Sequence, residues 1–238
     1  MTAHAKSTRC LPEAARSLVK ALHPRWERRK EERPAELLAA ALAVFVEKGF
    51  AGARLEEVAS RAGVSKGTLY LYFRSKEDLF QAVLREYIVQ HVQDERLRLA
   101  EPGTDPATAL RTLLDCLWRF FAESPASGIV KLIVAESRNF PEIARFYTDE
   151  VAAPTHELLA TALRRGIESG HFRRVDVESF VQMLIAPMLS LALWRHSLVA
   201  CSVMEIDIDA YHDTYMGTIL RALEPERTAA RQTAQNEA

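Results

Sequence analysis

The stretch from Leu55 to Phe80 most constrains the fold, because it predicts two short helices joined by a tight turn and the start of a third helix. In its first part, apolar residues recur at helical spacing, at Leu55, Val58, Ala59 and Ala62. Gly63 follows where a helix would close with a left-handed residue, which glycine adopts without steric cost. Val64 offers an apolar side chain that would fill the space between two helices packed at an angle.

The middle helix of this stretch is predicted to run from Lys66 to about Phe73. Ser65 is a suitable N-cap for it, and Ser75 is a suitable N-cap for the helix that follows. The middle helix is short and rich in hydrogen-bond donors, at Lys66, Thr68, Tyr70 and Tyr72. Such a helix suits a DNA major groove, which is about 12 Å wide, where it reads base edges and contacts phosphates.

The run G-V-S-K-G-T-L-Y-L-Y-F-R-S-K-E-D-L, residues 63–79, closely resembles the signature of TetR/AcrR-type transcriptional regulators. The resemblance extends back to Pro34 through ELLAAALAVFVEKGF, whose Gly49–Phe50 ending is also typical of that family. Arg54 departs from the pattern, because the family usually has a threonine there that caps the second helix and touches a phosphate. Together these patterns predict the DNA-contacting residues Arg54, Ser65, Lys66, Gly67, Thr68, Tyr70, Leu71, Tyr72 and Lys76.

Charge is distributed unevenly along the 238 residues, although the net charge is only −1. Residues 1–76 hold 15 Lys and Arg against 8 Asp and Glu, whereas residues 77–238 hold 16 against 24. A basic N-terminal part joined to an acidic remainder is expected where only one end meets a polyanion. A chance fluctuation is the alternative interpretation.

The rest of the chain predicts helices only, so the expected fold is all-α, with a three-helix DNA-binding domain followed by a helical ligand-binding and dimerisation domain. Helices are expected from Ser75 to about Leu99, from Pro106, from Ile129 to Glu136, from Pro141 to about Ser169 with a break or kink at Pro154, from Asp176, and from Asp209 to Leu223. The expected boundaries are 1–32 for a basic extension, 33–80 for the DNA-binding domain, 81–224 for the second domain and 225–238 for a polar tail.

The N-terminal extension allows two interpretations. Its segment R-W-E-R-R-K, residues 25–30, is strongly basic, as are arms that follow a DNA minor groove or backbone. The alternative is a disordered or partly helical extension, or an upstream start-codon artefact. Leu18, Val19 and Leu22 would form one weak amphipathic helix.

For the second domain, the resemblance implies a small-molecule site among its central helices and a homodimer formed by the last two helices. The segment from Ile133 to Tyr147 resembles AcrR/AefR-like members. Candidate ligand contacts are Trp118, Phe121, Glu136, Phe140, Phe146, Met183 and Trp194, with ordinary core packing, or an ion pair between Glu136 and Arg138, as the alternative. The predicted interface residues are Phe180, Leu184, Leu191, Tyr215, Ile219 and Leu223.

Other classes of protein lack support in the sequence. The three cysteines, Cys10, Cys116 and Cys201, have no metal-binding spacing, and no H-E-x-x-H motif or glycine-rich phosphate loop occurs. We therefore expect no enzyme activity, no metal and no cofactor. The longest apolar run, Met183–Trp194, falls short of the roughly 20 residues of a membrane span, so we expect a cytoplasmic protein with no membrane partner.

The expected function is that of a transcriptional repressor that binds double-stranded operator DNA as a homodimer and is released by a small, largely apolar effector. An activator, or a regulator that needs no ligand, would carry the same DNA-binding head. A protein-interaction module whose head no longer binds DNA is a further alternative, and retention on heparin followed by a gel shift would distinguish it.

Overall fold

A computed structural model of the protein describes residues 34–99, 104–199 and 205–225, and these residues form helices with no strand among them. The first helix, α1, covers residues 34–52. It is followed by α2 (Leu55–Arg61), α3 (Lys66–Tyr72), α4 (Lys76–Leu84, Arg85–Val89 and Gln90–Leu99), α5 (Pro106–Glu123), α6 (Ser127–Glu136), α7 (Pro141–Tyr147, Thr148–Ala152 and Ala153–Glu168), α8 (Val177–Leu193 and Trp194–Leu198) and α9 (Ile208–Leu223). The predicted all-α fold is confirmed, whereas residues 1–32, including the basic segment, and almost all of the polar tail lie outside the described residues.

Four predicted helix starts are confirmed, because the side chains of Ser65, Ser75, Asp105 and Asp176 each accept a hydrogen bond from a backbone N–H three residues ahead. The last helix is capped by Asp207 rather than opened by Asp209. Each cap is a contact within one turn, so the local sequence is enough to specify it.

The first three helices pack around three aromatic rings of the head. Phe45 and Phe50 of α1 stand beside Phe80 of α4, with ring centroids 5.0–5.8 Å apart, and all three side chains are fully buried. Gly63 closes the turn after α2 with φ of +66°, as predicted. Helix α3 packs against α2 and buries Leu69, which sets the face of α3 that is left outside.

The three longest composite helices contain π-helical turns, at Arg85–Val89 in α4, Thr148–Ala152 in α7 and Trp194–Leu198 in α8. Pro154 was expected to break or kink α7, but the helix continues through it. Proline cannot donate a backbone hydrogen bond and its ring crowds the preceding turn. The wider π-turn lies directly before Pro154, and there the Ala153 N–H bonds to the Thr148 carbonyl, so the chain stays helical.

Helix α8 packs on α5, α6 and α7, and it is the most apolar helix of the body. By length and composition alone, Val177–Leu198 is suited to cross a membrane, with a mean hydropathy of 1.5, which the shorter run noted in the sequence did not indicate. Only 33% of its most apolar window is buried within the chain. Much of this apolar helix is therefore uncovered in a single copy.

The predicted dimer-interface residues lie inside the core of one chain, which leaves little of their surface for contact with a partner. All six side chains are at most 7% exposed: Phe180, Leu184, Leu191, Tyr215, Ile219 and Leu223. The Tyr215 hydroxyl also donates to the Leu184 carbonyl at 3.0 Å, which ties α9 to α8. These apolar faces are used to close the fold.

Candidate nucleic-acid interface

Helix α3 carries the candidate DNA-binding face. Its Leu69 is fully buried against the head, whereas Lys66 and Gly67 are exposed, Tyr70 is 44% exposed and Leu71 is 83% exposed. Ser65 accepts from the Thr68 N–H at 3.1 Å and pairs with the Thr68 hydroxyl at 2.9 Å. The N-terminus of α3 is thus fixed by its cap while the rest of its outer face is open to a ligand as large as a duplex.

The ammonium group of Lys66 is held by Glu56, an exposed residue in the first turn of α2. The hydrogen bond from Lys66 is the main cause of a lowered pKa of the Glu56 carboxyl, and the same bond raises the pKa of Lys66. The sequence analysis missed Glu56, because its partner is ten residues away across the turn. A carboxylate beside the entry to the major groove opposes phosphates and competes for Lys66.

We expect Glu56→Gln to raise affinity for duplex DNA about fivefold at low salt, because it removes a negative charge from the DNA-facing side and releases Lys66. The gain should shrink as salt rises, since both groups are exposed and screened. Fluorescence anisotropy with a labelled duplex measures this change. Glu86→Gln, an exposed residue on α4, is the matched control and should leave affinity unchanged. Weaker binding by Glu56→Gln would mean that the carboxylate itself contacts the DNA.

Of two predicted phosphate contacts, the structure leaves Arg54 free to reach a phosphate and places Lys76 elsewhere. Arg54 is exposed at the N-cap of α2 and makes no side-chain capping bond, which leaves its guanidinium outside the head. The Lys76 ammonium instead lies at the end of α1, bonded to the carbonyls of Phe50, Ala51 and Ala53 at 2.8–3.4 Å. Lys76 would have to leave these carbonyls to contact a phosphate. Exposed Arg74, which follows α3 and was not predicted, is a candidate for that contact.

The head meets the body at two glycines. At Gly128 of α6, an added Cβ would lie 2.8 Å from Cγ1 of Val46 in α1 and 3.0 Å from Nδ1 of His196 in α8. Nε2 of His196 is 2.8 Å from the Ser127 hydroxyl, and burial is the main cause of a lowered pKa of His196. Helices α1, α6 and α8 therefore meet around the His196 imidazole.

The second contact joins the end of α1 to the start of α7. Gly49 has φ of +73°, and a Cβ there would lie 3.5 Å from the Glu136 carboxylate. The rings of Phe50 and Phe140 meet edge to face at 4.7 Å. Two of the predicted ligand contacts, Glu136 and Phe140, are thus placed at the boundary between head and body.

The remaining predicted ligand contacts differ in how deeply they are buried. Trp118 is buried against the rings of Tyr211 and Tyr215 at 5.1 and 5.4 Å, and Phe121 is also buried. These two match the alternative of ordinary core packing. The Trp194 Nε1 is buried and finds no hydrogen-bond partner among the described residues.

Two other predicted contacts lie nearer the surface. Phe146 of α7 lies 4.8 Å from the Arg85 guanidinium of α4, in a cation–π contact between connecting helix and body. Met183 is 61% exposed on α8, so in a single chain it does not line a closed cavity. A shallow groove of about 390 Å³ between α7 and the start of α8 is lined by other residues, Arg164, Ile167, Glu168, Arg174, Val175 and Val177.

Comparison with protein families matches two models to the chain. Residues 37–83 match the model of bacterial regulatory proteins of the tetR family. Residues 102–206 match the model of a tetracyclin repressor-like C-terminal domain. The first match contains α2 and α3, and the second begins just before α5.

Individual relatives agree with these models. The fatty acid metabolism regulator protein of Bacillus subtilis is 26% identical over 196 residues, which are 77% of this chain and 99% of the relative. The transcriptional activator FasR of Mycolicibacterium smegmatis is 40% identical over 48% of this chain and 52% of its own length. The transcriptional repressor KstR2 of Rhodococcus jostii is 28% identical over 63% and 72% of the respective chains.

Solved structures show the same arrangement of helices. The fatty acid degradation regulator FadR of Bacillus halodurans superposes with a TM-score of 0.63 at 25% identity, covering 79% of this chain and 94% of that one. FadR of Bacillus subtilis, solved in complex with stearoyl-CoA, gives a TM-score of 0.60 at 21% identity, covering 80% and 99%. These matches extend over both the head and the helical body.

Proposed function

The chain belongs to the tetR family of bacterial regulatory proteins, and from that premise we propose that it is a homodimeric cytoplasmic repressor released from its operator by a small apolar effector. Its relatives are transcription regulators rather than enzymes. The observation that carries the proposal is α3, a short capped helix whose outer side chains project from a rigid head.

Homodimer formation is supported by the uncovered side of α8 and α9. Six of the exposed residues of α8 form one stripe, which we call the α8 face: Ser179, Gln182, Met183, Ala186, Ser190 and Leu193. On α9, two exposed threonine hydroxyls donate hydrogen bonds to carbonyls of their own helix. Thr214 donates to Ala210, and Thr218 donates to Thr214. The small side chains Ala186, Ser179 and Ser190 and the satisfied threonine hydroxyls allow close approach of a second copy, which would cover Met183 and Leu193.

An apolar effector is supported by the junction of α4 with α7. Helix α4 continues from the head into the body, and its π-turn contacts the π-turn of α7. Such turns are frequent at functional sites. A ligand that separates these two helices would move α4, and the head would move with it. Two relatives are named for fatty acid regulation, so long-chain acyl-CoA is the first class of effector to test.

The test begins with selection of duplexes from random DNA by the purified protein. We expect an inverted repeat whose half-sites are about one helical turn apart, roughly 34–36 Å, or a small multiple of that spacing. Stearoyl-CoA is then titrated onto the complex, and operator release is followed by anisotropy together with tryptophan fluorescence. Binding of stearoyl-CoA should lower the affinity of the protein for the operator about tenfold, which corresponds to a coupling free energy of about 1.4 kcal/mol.

Two results would contradict parts of the proposal. Failure to enrich any sequence would contradict the DNA-binding function. Tight binding of stearoyl-CoA without operator release would exclude that compound as inducer, because a ligand shifts an equilibrium only by its differential affinity for the two states. Activation is the second candidate, favoured by the likeness to the activator FasR, and a transcription assay on the selected operator separates activation from repression.

A further inference from the structure

Leu71 stands out on the outer face of α3. It is 83% exposed, the largest exposed fraction among the big apolar side chains that the structure describes as exposed. Leu69, two residues earlier, is fully buried. Because successive helical residues are rotated by about 100°, two positions place Leu71 on nearly the opposite side of α3 from the core. The isobutyl group therefore points out of the front of the helix.

The polar side chains near Leu71 already have partners within the head. Lys66 is bound to Glu56, and its ammonium lies 5.8 Å from the ring centroid of Tyr70. The hydroxyls of Ser65 and Thr68 bond to each other. Leu71 has no comparable cover in the chain. An exposed apolar group has an unfavourable free energy of hydration. Contact with another apolar surface removes it from water and lowers that free energy.

We propose that Leu71 reads the C5-methyl group of a thymine in each operator half-site. This inference rests on the proposed DNA-binding function, in which α3 enters the major groove. There the thymine methyl is the apolar group that distinguishes thymine from cytosine at a base edge, and aliphatic side chains contact it. Leu71 lies one helical turn beyond Gly67, whose lack of a side chain lets the backbone approach the duplex closely.

The experiment removes the methyl group without changing base pairing. Each thymine of the selected operator is replaced in turn by deoxyuridine, and affinity is measured by anisotropy with the full-length protein. We expect one position per half-site at which the replacement weakens binding about fourfold, the factor given by about 0.8 kcal/mol for burial of one methyl-sized group. Replacement in both half-sites should weaken binding about 16-fold, since separate positions act additively.

The protein variants assign the contact to Leu71. Leu71→Ala should bind the thymine and deoxyuridine operators equally, with the helical circular dichroism of the wild type. Leu97→Ala, which shortens another exposed leucine on α4, is the matched control and should retain the deoxyuridine penalty. At the sensitive position, 5-methylcytosine should be preferred over cytosine by the wild type but not by Leu71→Ala.

The inference and the proposed function fail in different ways. Equal affinity of the wild type for thymine and deoxyuridine at every position would overturn the inference and leave operator binding intact. A penalty that persists in Leu71→Ala would assign the methyl contact to another residue and would also overturn it. Absence of any selected operator would instead contradict the proposed function.

Discussion

Ala186→Glu should convert the homodimer to a monomer and lower operator affinity about 1,000-fold, to the level of non-specific binding. Ala186 is exposed at the centre of the α8 face. A carboxylate there must lose its water when two copies meet, and no partner charge compensates it. A monomer presents one α3 instead of two, so it loses half of the specific contacts. Sedimentation velocity and anisotropy measure the two effects on the same sample.

Ala135→Glu is the matched control, because it makes the same change at an exposed position of α6, away from the α8 face. It should stay dimeric and bind the operator normally. A charge at Ile219 should act differently, since that side chain is only 6% exposed within one chain, and Ile219→Glu should unfold the body. A dimeric Ala186→Glu, or a wild-type monomer with full operator affinity, would contradict the proposed interface.

Gly166→Ala should lower the free energy of unfolding by about 3 kcal/mol, the upper part of the range for overpacked cores. The new Cβ would lie 2.0 Å from Cδ2 and 2.2 Å from Cε2 of Phe172. Phe172 is 6% exposed, and its backbone N–H donates to the Gly166 carbonyl at 2.9 Å. Neither residue can therefore move away freely. Urea denaturation at a fixed protein concentration measures the loss.

The control for this prediction is Gly52→Ala, where a Cβ would meet only its own helix, at 3.7 Å from the Lys48 Cβ. Alanine favours a helix over glycine, so Gly52→Ala should be neutral or slightly stabilising. Adding Phe172→Leu to Gly166→Ala should recover part of the lost stability, because it withdraws the ring from the new methyl. Unchanged stability of Gly166→Ala would show that Phe172 has another place to pack.

The sequence predicts most of the helix boundaries because they depend on contacts within a turn. Ser65 and Asp176 cap their helices as expected, and Gly170 takes φ of +76° after α7. The sequence does not predict the π-turns, because no residue type marks a helical turn that holds one residue more than usual. Which backbone carbonyl an amide reaches at Arg85–Val89 is decided by packing against α7.

The sequence and the structure differ over which side of α8 and α9 is buried within one chain, for a physical reason. The most apolar stripe, with Leu184 and Ile219, was assigned to the partner, but a single chain must first bury that stripe to fold. The uncovered side mixes small or weakly polar side chains such as Ala186 and Thr218 with the apolar Met183, so its hydropathy signal is weaker than that of the buried stripe. Hydropathy alone therefore identifies the core side of such a helix rather than the partner side.

The candidate DNA-binding face was predicted better than the ligand site. Contacts through α3 follow from a short motif, and the structure leaves Lys66, Gly67 and Leu71 exposed as such contacts require. The ligand contacts were chosen from residue type alone, and aromatic and methionine side chains occur equally in a closed core such as that around Trp118. The role of Glu56 required knowledge of which residues meet across the turn.

The π-turn of α4 makes this helix tolerant to the loss of one residue. The amide of Gln90 reaches back five residues to the Arg85 carbonyl, so the turn holds one residue more than an α-helical turn. Deleting a residue within Arg85–Val89 would restore a regular α-helix and keep the faces on either side aligned. A deletion elsewhere in α4 would rotate everything beyond it by about 100°. Homologous chains can therefore differ in length by one residue at this turn and still hold head and body in the same relative orientation.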